Sequence, residues 1–98
     1  MLFIQHELQR TAQNLVADNI KNGEHVLVVS SSDQSKELID AIVTAASSTG
    51  AASVSAIIIA CPENLRDYKH PPAVIASVES ADLTIVATSL GFRGHMTT

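Results

Sequence analysis

The feature that most constrains this chain is an alternation of two apolar patterns, with helix-spaced stretches interleaved with short, unbroken β-branched runs. Ile4, Leu8, Ala12, Leu15, Val16 and Ile20 recur at three- and four-residue intervals and trace one face of an amphipathic helix, which Asn22-Gly23 stops. Val26-Leu27-Val28-Val29 follows, a run typical of a strand covered on both faces. Ser31 and Gln34 have the spacing of a capping box, and Leu38, Ile39, Ile42, Val43 and Ala46 then trace a second helix face that ends at Gly50. The pattern repeats once more. Val54 to Ala60 has buried-strand composition, Pro71-Pro72 opens a short helix carrying Val74, Ile75 and Val78, and Leu83-Thr84-Ile85-Val86-Ala87 reads as a third strand.

Strands alternating with helices at this spacing predict right-handed crossovers and a parallel sheet. The expected fold is α/β: a single Rossmann-like domain over residues 1–98, three-layer αβα, with a short parallel sheet of about three strands. Three parallel strands are half of a usual doubly wound sheet, and such sheets rarely keep open apolar edges. A homo-oligomer is therefore expected, or completion by the remainder of the polypeptide or a complementary chain.

Composition narrows the partners. At 46% hydrophobic and only 3% aromatic, the chain builds its core from Val, Ile, Leu and Ala, which argues against disorder. Net charge is -4, and Lys21, Lys36, Arg66, Lys69 and Arg93 are scattered, so nucleic acid is not an expected partner. The single Cys61 cannot form an internal disulfide, and the longest apolar stretch, Val54 to Cys61 broken by Ser55, is far short of a membrane span. With no basic segment leading into an apolar run at the N-terminus, the expectation is a cytoplasmic protein without membrane attachment.

Few residues invite chemistry. The turn Ser30-Ser31-Ser32-Asp33-Gln34-Ser35 occupies the phosphate position of a dinucleotide fold but lacks glycine, so no nicotinamide or flavin is expected, and Ser31 reads as a helix cap. Cys61 has no surrounding nucleophile signature and reads as a buried, inert thiol. His6, His25, His70 and His95 show no ligand spacing, so no metal ligand is expected in this chain. The charged loop Pro62 to His70 reads as a solvated surface segment.

His95 stands apart. It follows Thr88-Ser89 at the carboxyl end of a buried strand, beside Gly91 and Gly94, where ligands bind in open parallel sheets. An imidazole there can exchange protons near neutral pH, so His95 is the expected catalytic residue, with Thr88, Ser89, Gly94 and His95 expected to touch substrate. The sequence closes inside this loop, which leads to the expectation of the N-terminal fragment of a longer enzyme. The rival is a free-standing Rossmann-like interaction or small-ligand-binding module without catalysis, and whether the gene continues past Thr98 separates the two.

Asn22-Gly23-Glu24-His25-Val26-Leu27-Val28-Val29, Pro71-Pro72-Ala73, and Ala81-Asp82-Leu83-Thr84-Ile85-Val86-Ala87-Thr88-Ser89 leading to His95 together resemble the N-terminal domain of the aminopeptidase T-like superfamily. That group includes thermophilic leucyl aminopeptidases and 2,5-dihydroxypyridine 5,6-dioxygenases. The resemblance implies a metal-dependent hydrolase or ring-cleaving dioxygenase acting on a peptide or small molecule, with a divalent metal (Fe, Zn or Co) carried by a C-terminal domain. It implies that His95 matches the family's histidine facing the cleft, although its spacing from Thr88-Ser89 departs from the peptidase pattern and leaves the two branches open. The expected outcome of calorimetric titration of this chain with zinc or iron is no stoichiometric uptake, and a one-to-one site tighter than about micromolar would overturn the reading of its histidines.

Overall fold

The computed structural model describes residues 2, 3, 14, 16, 18–63 and 68–88. The strands are β1 (Leu2–Phe3), β2 (His25–Ser31), β3 (Ser53–Ile59) and β4 (Leu83–Ala87), and the helices are α1 (Lys36–Ser47) and α2 (Pro72–Ser80). All pairings are parallel, in the order β1-β4-β2-β3. The three strands expected from the sequence are present, and the two-residue β1 adds a fourth beside β4. The small α/β architecture is therefore as expected.

Right-handed crossovers explain where the helices lie. The chain moves in one direction across the sheet from β1 to β2 to β3, then returns over β2 to reach β4. Connections running in opposite directions must cover opposite faces. On one face Val16 and Ile20, from the helical turns after β1, join Ile42 and Ala46 of α1 against Val26, Val28, Ile85 and Ala87. On the other, Val74 of α2 meets Leu27, Val29, Ile59 and Val86. The odd and even residues of β2 thus serve different cores, as strand geometry requires.

Two glycines fasten the helix ends. Gly23 and Gly50 both have positive φ, +84° and +86°, and the Gly23 N–H donates to the Gly50 carbonyl at 3.0 Å. A Cβ on Gly50 would stand 2.5 Å from the Asn22 side-chain oxygen, so both backbone angle and space demand glycine there.

One expectation is corrected. Ser31 does not cap α1, because β2 continues through it; the cap is Ser35, whose hydroxyl accepts the Leu38 N–H at 3.2 Å. A second concerns β3. Its composition is that of a buried strand, yet it lies at the sheet edge, with Ile59 buried, Val54 and Ile57 half-buried and the rest exposed. Composition records how apolar a strand is but not which neighbours it finds.

Ile85, fully buried on the inner strand β4 in the cluster with Val16, Val28 and Ile42, contrasts with the edge. Ile85→Ala should destabilise the domain by about 2–5 kcal/mol in urea unfolding, whereas Ile58→Ala, at a side chain 58% exposed, should stay within about 0.5 kcal/mol.

Candidate functional site

The carboxyl ends of β2 and β4 converge on a cluster of hydroxyls. Register pairs Ser30 with Ala87, which brings Ser31 beside Thr88. The Ser30 hydroxyl donates to the Ala87 carbonyl at 2.8 Å, and the hydroxyls of Ser31 and Thr88 are hydrogen-bonded at 2.5 Å. Ser31 also donates to the Asp33 carboxylate in the turn that follows. Ser30, Ser31 and Thr88 are all buried, and Asp33 is exposed. A buried hydroxyl pair ending on an exposed carboxylate gives Asp33 a fixed hydrogen-bond donor and leaves its remaining lone pairs directed to solvent.

The same turn grips the neighbouring strand. The Ser32 N–H donates to the Ile59 carbonyl at 2.9 Å, and the Ser32 hydroxyl accepts the Cys61 N–H at 2.8 Å. Three consecutive serines therefore tie the ends of β4, β2 and β3 together. Beyond them α1 begins at its Ser35 cap, and the Glu37 carboxyl is held below the usual carboxylate range by its own backbone N–H and by the Ser35 hydroxyl. Among the described residues no buried side-chain nitrogen or oxygen lacks a hydrogen-bond partner.

Of the residues expected to touch substrate, Thr88 lies at this edge with its hydroxyl joined to Ser31 rather than open to a ligand. Ser89, Gly94 and His95 lie outside the described residues. Ser31, read from the sequence as a helix cap, and Asp33 of the same turn join Thr88 at this edge. Only the register between strands 57 positions apart reveals the pairing, and no local pattern signals it.

Other expectations change. Cys61 is exposed rather than buried, because it follows the edge strand instead of entering the core. His70 is buried rather than solvated: its Nδ1 lies 3.0 Å from the Tyr68 hydroxyl, and the two rings meet edge to face with centroids 4.9 Å apart. Tyr68 packs on the α2-side core, where burial pushes its phenol pKa upward. His25 lies at the start of β2. Its Nδ1 is 2.8 Å from the Ser53 hydroxyl, and its backbone N–H donates to the Asp82 carboxylate at 2.8 Å. Asp82 returns the bond through its own N–H to the His25 carbonyl, so the amino ends of β2 and β4 are tied together as well.

A groove of about 340 Å³ opens at this amino end, between β3 and α2, with His25, Ser53, Ser55, Ser77 and Ser80 on its walls. The hydroxyls of Ser77 and Ser80 donate to carbonyls of their own helix, so their lone pairs remain available. Among the described residues no three of His, Cys, Asp and Glu gather in one place, and no helix is long and apolar enough to cross a membrane.

Comparison with family models and with curated proteins finds no match. Ser31→Ala leaves the buried Thr88 hydroxyl short of one partner and should cost about 1–3 kcal/mol. Ser30→Ala should cost about 1 kcal/mol, the net worth of one ordinary bond, and both are read from chemical denaturation midpoints.

Proposed function

We propose that this domain forms the substrate-side wall of a cytoplasmic, metal-dependent enzyme of the aminopeptidase-like or dioxygenase-like kind, taking a small molecule or a peptide. The observation that carries the reading is the polar carboxyl edge, where Ser31, Thr88 and Asp33 meet at the ends of two adjacent parallel strands. Ligands of open α/β sheets bind beyond those ends. The segment that follows β4 contains His95, whose imidazole is the general acid or base of the proposal.

Ser31, Thr88 and Asp33 contribute a single carboxylate between them and do not make a metal site, so the metal belongs to residues outside this cluster. The role of the described edge is positional. Asp33, held by the Ser31 hydroxyl, offers an acceptor to a substrate ammonium or hydroxyl, and the buried Ser31–Thr88 bond keeps β2 and β4 from spreading at the point where the substrate would rest.

The test uses the product of the whole gene, supplied in turn with Fe(II), Zn(II) and Co(II). It is assayed for release of the amine from a leucyl anilide and, with oxygen, for ring cleavage of 2,5-dihydroxypyridine. Turnover in either assay is expected, falling about 10²-fold or more in His95→Ala with the melting temperature nearly unchanged. Asp33→Asn should raise KM more than it lowers kcat. His70→Ala, at a buried side chain, should lower the melting temperature instead of the rate. Absence of turnover with every metal, or unfolding of His95→Ala, would favour the non-catalytic binding module.

A further inference from the structure

The outer edge of β3 carries an inference that stands apart from the catalytic proposal. β3 pairs with β2 alone, and among the described residues no strand lies on its other side. Natural edge strands are normally protected by lysine, proline, a bulge or extreme shortness. β3 has seven residues, Ser53-Val54-Ser55-Ala56-Ile57-Ile58-Ile59, with neither a charge nor a proline. Among the described residues Ile58, 58% exposed, is the large apolar side chain left open to solvent.

The backbone direction of this edge follows from one bond. The Ser32 N–H reaches the Ile59 carbonyl, so Ile59 turns its carbonyl toward β2. Backbone groups alternate along a strand, so Ser53, Ser55 and Ile57 face β2 as well. Val54, Ala56 and Ile58 then turn their N–H and C=O groups outward, away from the sheet.

We propose that this edge pairs with the same edge of a second copy of the chain, antiparallel about a two-fold axis that passes beside Ala56. Opposed residues then sum to 112, so Ala56 faces the partner's Ala56 and Val54 faces the partner's Ile58. In this register all three outward-turned residues of β3 oppose outward-turned residues, forming three doubly hydrogen-bonded pairs. Sliding by two residues in either direction leaves one of them opposite a residue beyond the strand. Side chains agree with the backbone. Val54, Ala56 and Ile58 share one face, so each exposed Ile58 lies against the partner's Val54, with the small Ala56 side chains at the axis. Charge agrees too: two chains of net charge -4 repel overall, but the segment from Gly50 to Pro62 that would lie along the interface contains no ionisable side chain except Cys61. An isologous contact of this kind closes on itself and makes a dimer, not a fibre. The α/β sheet becomes mixed, with one antiparallel junction at its centre, an arrangement common in large sheets.

One strand edge is small against the roughly 1,200 Å² of a stable interface, so a micromolar dimer is expected instead of a nanomolar one. Sedimentation equilibrium between about 1 and 100 micromolar should show monomer passing to dimer. Ile58→Lys should raise the dissociation constant at least tenfold while leaving the circular dichroism unchanged, since the side chain is already exposed. In a Cys61→Ser background, Ala56→Cys should cross-link under mild oxidation, because opposed residues stand about 5.5 Å apart between Cα atoms, within disulfide reach. Val54→Cys should not, its two copies being offset by about 14 Å along the strands. A monomer at every concentration, a dimer indifferent to Ile58→Lys, or cross-linking through position 54 as readily as through 56 would each overturn the proposal. None of these outcomes depends on whether an activity is found.

Discussion

Burial of both faces of the β2–β4 pair is the constraint on which the rest of this molecule depends. Val26 to Ser31 and Thr84 to Thr88 are withdrawn from solvent. In a parallel pair that demand cannot be met by one layer of helix, and it obliges the chain to cross the sheet in both directions. Val16, Ile20 and α1 cover one side, and α2 covers the other on the return. Once β4 enters between β1 and β2, the register also decides which polar groups meet: Ser30 beside Ala87 and Ser31 beside Thr88 at one end, His25 beside Asp82 at the other.

The coverage is uneven. α1 lies over β2 and β3 on its side, whereas α2 contributes Val74 as its buried residue and leaves a hydroxyl-lined groove over the start of β3. β3 is therefore bound firmly on one edge to β2 and weakly covered on its α2 face toward its amino end. On that face exposure increases from buried Ile59 through half-buried Ile57 to Ser55 and Ser53, and the two serines help to form the groove. The pattern is that of a strand partly adapted to water on one face and left apolar along its other face and its rim.

These features differ in how far they can be read from the residues. From β2 onward the alternation of strand and helix was legible because it follows from apolar period alone, whereas most of the helix expected over Ile4 to Ile20 lies outside the described residues; Gly23 and Gly50 close their segments with the positive φ that glycine supplies. The place of each strand in the sheet was not. Val26-Leu27-Val28-Val29 and Ile57-Ile58-Ile59 have the same apolar character, yet one lies in the centre and the other at the rim, a difference created by which strand inserts where. Ser31 shows the same limit on a smaller scale. A serine three residues before a glutamine satisfies the local rule for a cap, but a tertiary bond to Thr88 extends β2 by that residue and moves the cap to Ser35. His70 was misplaced because a loop's mean polarity does not say which of its side chains folds back onto the core, and Cys61 because the strand it follows lies at the rim.

The serine triplet unites these levels. Serine is a weak strand former, and three in succession would ordinarily signal a turn. Here Ser30 bonds across to β4, Ser31 to Thr88 and Asp33, and Ser32 to the chain leaving β3, so each hydroxyl replaces a contact that an apolar side chain would have supplied to one neighbour only. The exchange makes the carboxyl edge polar without leaving a buried group unpaired. An edge of Val or Ile would seal the sheet equally well but could hold no carboxylate in position. Hydroxyls that are satisfied within the fold, and that end on an exposed Asp33, give the domain a polar rim at the carboxyl ends of β2 and β4.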